Sequence, residues 1–411
     1  MSKGVGHSNP FRFGALALDE SFADREAERQ ELVSDIRNGQ DVVVFAPRRC
    51  GKSSLVWSAG QVLAAEGVLV AQVDLMTTPT KERLAAALAR SIFDSIASPL
   101  ERIRERALAP FRGLQIQPTV TVDPEDGSLA FSFAAEREGA DVDATLERLL
   151  QLPAELGGAG RRRTALVIDE FQEIVEIDPS LPKLLRAVFQ QQPEVAHVYL
   201  GSKRHVMDRI FSDANEPFWR SAKSVDLGPI DAGPFARFLA DRFRRTGKEV
   251  DDAAIGELLA ITGGHPYATQ ELAYFLWEHV PSGEAGSEIH LQRALAAVLR
   301  SEHAHFTLLW EGASSVQRLV LEALAREAGR PFSAAYRARH GLPPPTNVQK
   351  ALRALQRRET VAGSKGAYRI AEPFLAEWLR LQAVDSVAGR PPGDSTESVS
   401  AGSSSEKPKR C

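Results

Sequence analysis

A doubly wound α/β core, followed by helices and then a three-helix unit with a hairpin, is predicted by three observations on the 411-residue sequence. Apolar runs of strand length alternate with helical patterning up to about residue 230, the order that builds a parallel sheet covered on both faces. Two of those runs end in chemistry-bearing residues: Val42-Val43-Val44-Phe45 enters a Gly-Lys-Ser turn, and Thr164-Ala165-Leu166-Val167-Ile168 ends in two acids. Beyond residue 230 the patterning is helical until a short hairpin near residue 365.

The elements follow in order. A helix over Arg25 to Asn38 leads into the strand Asp41–Phe45. Ala46-Pro47-Arg48-Arg49-Cys50-Gly51-Lys52-Ser53-Ser54 then has the spacing of a P-loop, whose backbone N–H groups wrap phosphates. In that pattern Lys52 reaches the β and γ phosphates, and the Ser53 hydroxyl holds Mg²⁺. The helix from Lys52 to about Glu66 points its N-terminus at the same anion. The flanking strand and helix separate this motif from a chance Gly-Lys-Ser in a surface loop. Ala46 stands where Gly is usual, so the turn there must avoid a Gly-only conformation, and Pro47 stiffens the next step. Cys50, near a helix N-terminus, reads either as a reactive thiolate or as a small packing residue.

A second strand is expected over Val68–Leu75, a helix from Lys81 to about Leu108, and a hairpin insertion at about 115–135, where Ile116–Val122 and Leu129–Phe133 alternate with period two. A helix from Asp143 to Leu152 passes through Gly157-Gly158 and the basic triplet Arg161-Arg162-Arg163, read as a solvated strand entrance. The strand that follows has the form of a Walker B segment. Asp169 is the candidate for the magnesium shell, and Glu170 for the group that positions the attacking water. A further strand, His197–Gly201, ends at Ser202-Lys203-Arg204, either a γ-phosphate sensor or an ordinary strand end. The chain has no Asn-Lys-x-Asp base reader and no Leu-Ser-Gly-Gly signature, which favours ATP.

After Leu227-Gly228-Pro229, helices are expected over Pro234–Arg245, Ala253–Ile261 and Tyr267–Trp277. The turn Gly263-Gly264-His265-Pro266 opens the last of them. It either touches the nucleotide or is simply a helix entry with Pro266 in the first position. Residues 314–380 then give helices Ser315–Ala325, Ser333–His340 and Thr346–Arg358 with Thr346 as N-cap, a Pro343-Pro344-Pro345 stop before the third helix, and a hairpin over Val361–Ile370: a winged helix. Over Thr346–Ile370, six basic residues (Lys350, Arg353, Arg357, Arg358, Lys365, Arg369) stand against Glu359 alone. That contrast suits DNA phosphates, or a face that docks on protein.

Composition sets the outer bounds. With 43% hydrophobic and 25% charged residues the chain can bury a substantial core. The net charge of −4 gives no overall basic field, so nucleic-acid contact needs a local patch. Two cysteines, Cys50 and Cys411, make no disulfide framework. The polar N-terminus and the lack of any long uncharged apolar stretch lead us to expect a cytoplasmic protein, with a disordered tail after Ala383.

The chain resembles the archaeal ATPase family, P-loop ATPases placed near the AAA+ and STAND NTPases and found in bacteria too. The likeness runs over about residues 9–380. It rests on Asn9-Pro10-Phe11-Arg12-Phe13-Gly14, Phe22-Ala23-Asp24-Arg25-Glu26, the phosphate loop, Asp169-Glu170-Phe171-Gln172, Gly201-Ser202-Lys203-Arg204, Pro217-Phe218-Trp219-Arg220 and Gly264-His265-Pro266. The resemblance implies an ATPase core (1–230), a helical lid (231–300) and a winged helix (305–382). It implies that Phe22 to Arg25 lie near the adenine, that Ser202 and Arg204 act as a sensor, and that His265 and Pro266 touch the nucleotide. Asp24 and Ala46 depart from the Gly of the family pattern and bear on the hydrolysis rate. Arg220 is the candidate for a finger acting on a second copy, and equally a structural arginine. The expected function is a slow, Mg²⁺-dependent ATPase acting as a switch coupled to the winged helix. The alternatives are a nucleotide-gated DNA-binding regulator and a signalling scaffold that grips protein.

Overall fold

The computed structural model describes residues 8–14, 25–96, 111, 117–122, 129–134, 142–160, 163–281, 283–364 and 366–388. The strands described before residue 230 are Val42–Phe45 (β1), Leu69–Asp74 (β2), Gln117–Val122 (β3), Leu129–Ala134 (β4), Thr164–Asp169 (β5), Val195–Gly201 (β6) and Lys223–Asp226 (β7). Five of them form one parallel sheet in the order β2-β5-β6-β1-β7. Its central strands are buried on both faces, which is why they read as unbroken apolar runs. One face packs Val43, Phe45, Ile168 and Tyr199 against helices Lys81–Ile96 and Leu181–Phe189. The other packs Val42, Val44, Val167 and Leu200 against helices Glu26–Arg37 and Lys52–Ala65. Strands β3 and β4 pair antiparallel as a separate hairpin.

A second apolar core serves the rest of the chain. Phe235, Leu272, Leu291 and Phe306 from the helices after residue 231 belong to the same cluster as Leu324, Leu352 and Phe374 of the winged helix, with Phe11 of the N-terminal segment. Phe11 packs 5.1 Å from Phe243, and Phe13 lies edge-on to Tyr267 and Tyr274. The helical region and the winged helix therefore form one packed body. The segment that leaves β7 enters this body at a close contact. Ile230 N–H donates to Gly264 O at 2.9 Å, Gly264 has φ 70°, and a Cβ there would lie 2.3 Å from Ile230 O.

Four expectations need correction. The edge strand β7 went unread, because Lys-Ser-Val-Asp is short and largely exposed. The helix expected to end at Leu152 runs over Val142–Gly160, through Pro153, Gly157 and Gly158, since packing of Leu146, Leu149, Leu150 and Leu152 outweighs the poor propensity of its last turns. Thr346 is not an N-cap. The third winged-helix helix is Pro345–Arg357 with Pro344 as cap, because the fixed φ of Pro345 suits the first helical position. The last helix, Pro373–Ala388, continues past Ala383 and ends at the residue before Gly389, since no Gly or Pro interrupts it until then. The calls on Phe22, Ala23, Asp24, Arg161, Arg162 and Lys365 lie outside the described residues.

Candidate functional site

The order β5-β6-β1 brings the carboxyl ends of three strands side by side, and the loops that leave them build the site. After β1 the chain turns through Ala46 and Pro47 to Gly51, which caps helix Lys52–Ala65 at φ 84°. Ala46 is buried and has no positive φ; the left-handed step is taken by Arg49 at φ 61°. Cys50 is buried, and that burial pushes its thiol upward against the opposing charges of Lys52 and Arg25, which fits packing and not a thiolate. Ser54 is buried one turn into the helix.

Two sets of residues predicted separately converge here. Ser53 Oγ–H donates to Asp169 Oδ2 at 2.8 Å, and Glu170 N–H donates to Asp169 Oδ1 at 2.9 Å. Burial raises the Asp169 carboxyl above its ordinary range, while Ser53, the Glu170 backbone and Lys52 pull it down. Lys52 is buried, and its Nζ donates to Ala46 O at 3.2 Å and Pro47 O at 3.5 Å. Glu170 sits at φ 50°, a conformation costly for a non-glycine residue. Its Oε2 accepts from Ser202 Oγ–H at 2.8 Å and from Gln172 Nε2.

The neighbouring basic residues are engaged. Lys203 pairs with Glu173 at 2.7 Å. The Arg204 guanidinium is held in a fork by Asp226, lies 5.1 Å over the Phe45 ring and reaches Asp208 at 3.6 Å. Arg25 donates to Gly228 O at 2.7 Å and to Cys50 O at 3.2 Å, so it ties the first helix to the loop and to the exit of β7.

Phe45 to Arg49, Ser202 to Arg204 and Asp226 line a cleft of about 1220 Å³ whose opposite wall is the helical region and the winged helix, whereas Arg25, Lys52, Ser53, Asp169 and Glu170 are not among its lining residues. His265 caps helix Pro266–His279 through Ala268 N–H, with Pro266 in the first position, and also faces the cleft. The helix-entry reading of that turn therefore holds together with a position at the site. Burial lowers the His265 pKa to about 4, helped by Arg369 and opposed by a hydrogen bond to the Arg48 backbone. Arg48 pairs with Glu359 at 2.8 Å, and Arg49 lies 4.3 Å over the Tyr267 ring and 3.9 Å from Glu372. Arg353 and Arg357 line the winged-helix wall, whereas Lys350 and Arg369 do not. Arg220 lies outside the cleft lining, with φ 48° and its guanidinium 5.3 Å over Trp219. Sequence reasoning missed Asp226, Tyr267, Gln172 as a partner of Glu170, and Glu359 and Glu372 as partners of the loop. Only Gln172, two residues past Glu170, carried a local signal.

Oxygen donors from Ser53 and Asp169, with a carboxyl that burial leaves short of positive charge, suit a hard cation such as Mg²⁺. Among the described residues no helix is long and apolar enough to cross a membrane.

Residues 22–272 match the family described as "ATPase domain predominantly from Archaea", and residues 304–381 match "Probable winged helix domain". In structure the chain is similar to the Walker-type ATPase paby2304 of Pyrococcus abyssi, with a TM-score of 0.61 and 18% identity over 89% of this chain and 97% of that one. It is also similar to the ORC2 protein of Aeropyrum pernix in its ADPNP-ADP complexes, with a TM-score of 0.50 and 15% identity over 92% and 100%. A WD repeat-containing protein of Synechocystis, slr0143, is 25% identical over 294 residues, 67% of this chain. The chain spans 22% of that relative's length.

Proposed function

Because the chain belongs to the family of ATPase domains found predominantly in Archaea, we propose that it is a slow, Mg²⁺-dependent ATPase whose nucleotide state sets the position of its winged helix. The observation that carries this reading is the 2.8 Å bond between Ser53 and Asp169, which joins the phosphate loop to the acidic strand end. Lys52 would neutralise the β and γ phosphates, with the backbone from Ala46 to Ser54 around them. Ser53 and Asp169 would hold Mg²⁺, which when bound offsets charge on the phosphate oxygens. Glu170, oriented by Ser202 and Gln172, would position the attacking water, with Ser202 and Arg204 as γ-phosphate sensor. Phe22 and Arg25 would flank the base, and His265-Pro266 would approach the nucleotide from the helical body.

The shared core behind the winged helix supports a switch in which that whole body moves against the sheet. Such a switch requires that the two positions differ in affinity for ATP and ADP. The test is equilibrium binding of labelled ATP to the parent and to Lys52→Ala. Loss of binding in the variant supports the assignment, and equal binding in both refutes it.

A second reading, a nucleotide-gated DNA-binding regulator, draws on the basic surface of Lys350, Arg353, Arg357, Lys365 and Arg369. Two of these, Arg353 and Arg357, face the cleft and would have to be uncovered to meet a duplex. The same surface could instead grip a protein client, the scaffold reading.

A further inference from the structure

Among the described residues, four other than glycine have a positive φ: Arg49, Glu170, Arg220 and Glu359. Two of the four, Arg49 and Glu359, each take part in an ion pair that joins the phosphate loop to the C-terminal unit. Glu359 follows the C-cap of helix Pro345–Arg357, where the chain closes with Glu359 N–H to Gln356 O at 2.9 Å and Thr360 N–H to Leu355 O at 3.0 Å. Glycine is the residue this closure favours, since any Cβ is strained there. What a glutamate adds is its carboxylate, and Glu359 Oε2 lies 2.8 Å from Arg48 Nε, with Oε1 buried and without a hydrogen-bond partner.

The second strained residue repeats the pattern from the other side. Arg49, left-handed itself, lays its guanidinium over Tyr267 and points it toward Glu372 Oε1 at 3.9 Å. The other oxygen of Glu372 is 3.7 Å from His305 Nε2, and Glu372 directly precedes the helix Pro373–Ala388 that packs the winged helix. Both arginines belong to the phosphate loop, and both glutamates belong to the C-terminal unit.

We propose that Glu359 and Glu372 form a latch by which the winged helix holds the phosphate loop through Arg48 and Arg49, turning Arg353 and Arg357 into the cleft while it is closed. The latch rests on the reading that this loop takes nucleotide phosphates. In each pair the arginine is 54% exposed and the glutamate under a third, so solvent screens the pair, and the contact is individually weak, reversible and sensitive to salt. A ligand that moves Arg48 and Arg49 must shift the winged helix, and by reciprocity removal of the glutamates must change nucleotide affinity by the same factor.

The test uses the full chain as parent, as Glu359→Gln/Glu372→Gln and as Glu359→Gly. Small-angle X-ray scattering without nucleotide at low salt should give a larger radius of gyration for both variants, and the parent should expand likewise only as salt is raised. Calorimetry with a non-hydrolysable ATP analogue and Mg²⁺ should show an affinity shift of about fivefold or more in the double variant. Matching scattering curves for the parent and the double variant at low salt overturn the latch, as does a Glu359→Gly chain that stays compact. Expansion with unchanged affinity overturns the coupling. If the parent itself binds no nucleotide, the site assignment fails, and the scattering comparison still decides whether the latch exists.

Discussion

Ser202 Oγ–H donates to Glu170 Oε2 at 2.8 Å, which links the end of β6 to the acid that follows β5. Gln172 Nε2 donates to the same oxygen, so one carboxylate oxygen is fixed, and in the proposed function Oε1 would direct the attacking water. Glu170→Gln should keep ATP bound and lower turnover by about 10²-fold or more. Ser202→Ala should lower turnover about tenfold with unchanged ATP affinity, since it removes one of two supports. Single-turnover hydrolysis beside equilibrium binding separates the two effects.

The ring of His265 is kept neutral by burial and by nearby Arg369, Arg49 and Arg25, with a pKa of about 4 against an ordinary 6.5. Between those values the unfolded chain binds more protons than the folded one, so stability falls as pH drops from about 6.5 toward 4. His265→Asn keeps an N-capping acceptor and removes the titration. Thermal melts across this window should fall less steeply for the variant than for the parent.

Glu271 gives the opposite slope. It is buried, its Oε1 has no hydrogen-bond partner, and burial together with Glu302 raises its pKa to about 7. The folded state then binds more protons between about 4.5 and 7, and stability is lost as pH rises through that window. Glu271→Gln should stabilise the fold by about 2 kcal/mol at pH 8 and have little effect at pH 4.5. Denaturant unfolding at the two pH values checks this.

DNA contact has its own signature. If Arg353 and Arg357 both meet phosphates, replacing them with Ala should lessen the slope of log affinity against log salt by about 2. Fluorescence anisotropy with a short duplex from low to moderate salt measures it, and no binding at low salt would leave protein as the partner of this surface.

Much of the core was legible because its signals are local. Buried parallel strands leave continuous apolar runs, and the loop, the acidic pair and the sensor segment each lie directly after such a run, at β1, β5 and β6. Strand β7 was not legible: an exposed edge strand buries too little for its sequence to show a pattern, and with it Asp226, the partner of Arg204, was hidden. The grip of Glu359 and Glu372 on the loop joins residues more than 300 positions apart, and nothing local to either announces the other. The basic surface of helix Pro345–Arg357 was visible as composition. Its direction depends on how the C-terminal body seats against the sheet, which is a tertiary fact.

The backbone contact at Gly264 anchors the chain where it passes from the sheet into the C-terminal body. With the Gly264 peptide pressed against the Ile230 peptide and no room for even a methyl group between them, the linker is fastened to the body it enters, and any bending of the chain between sheet and body is confined to the few residues from Asp226 to Ile230.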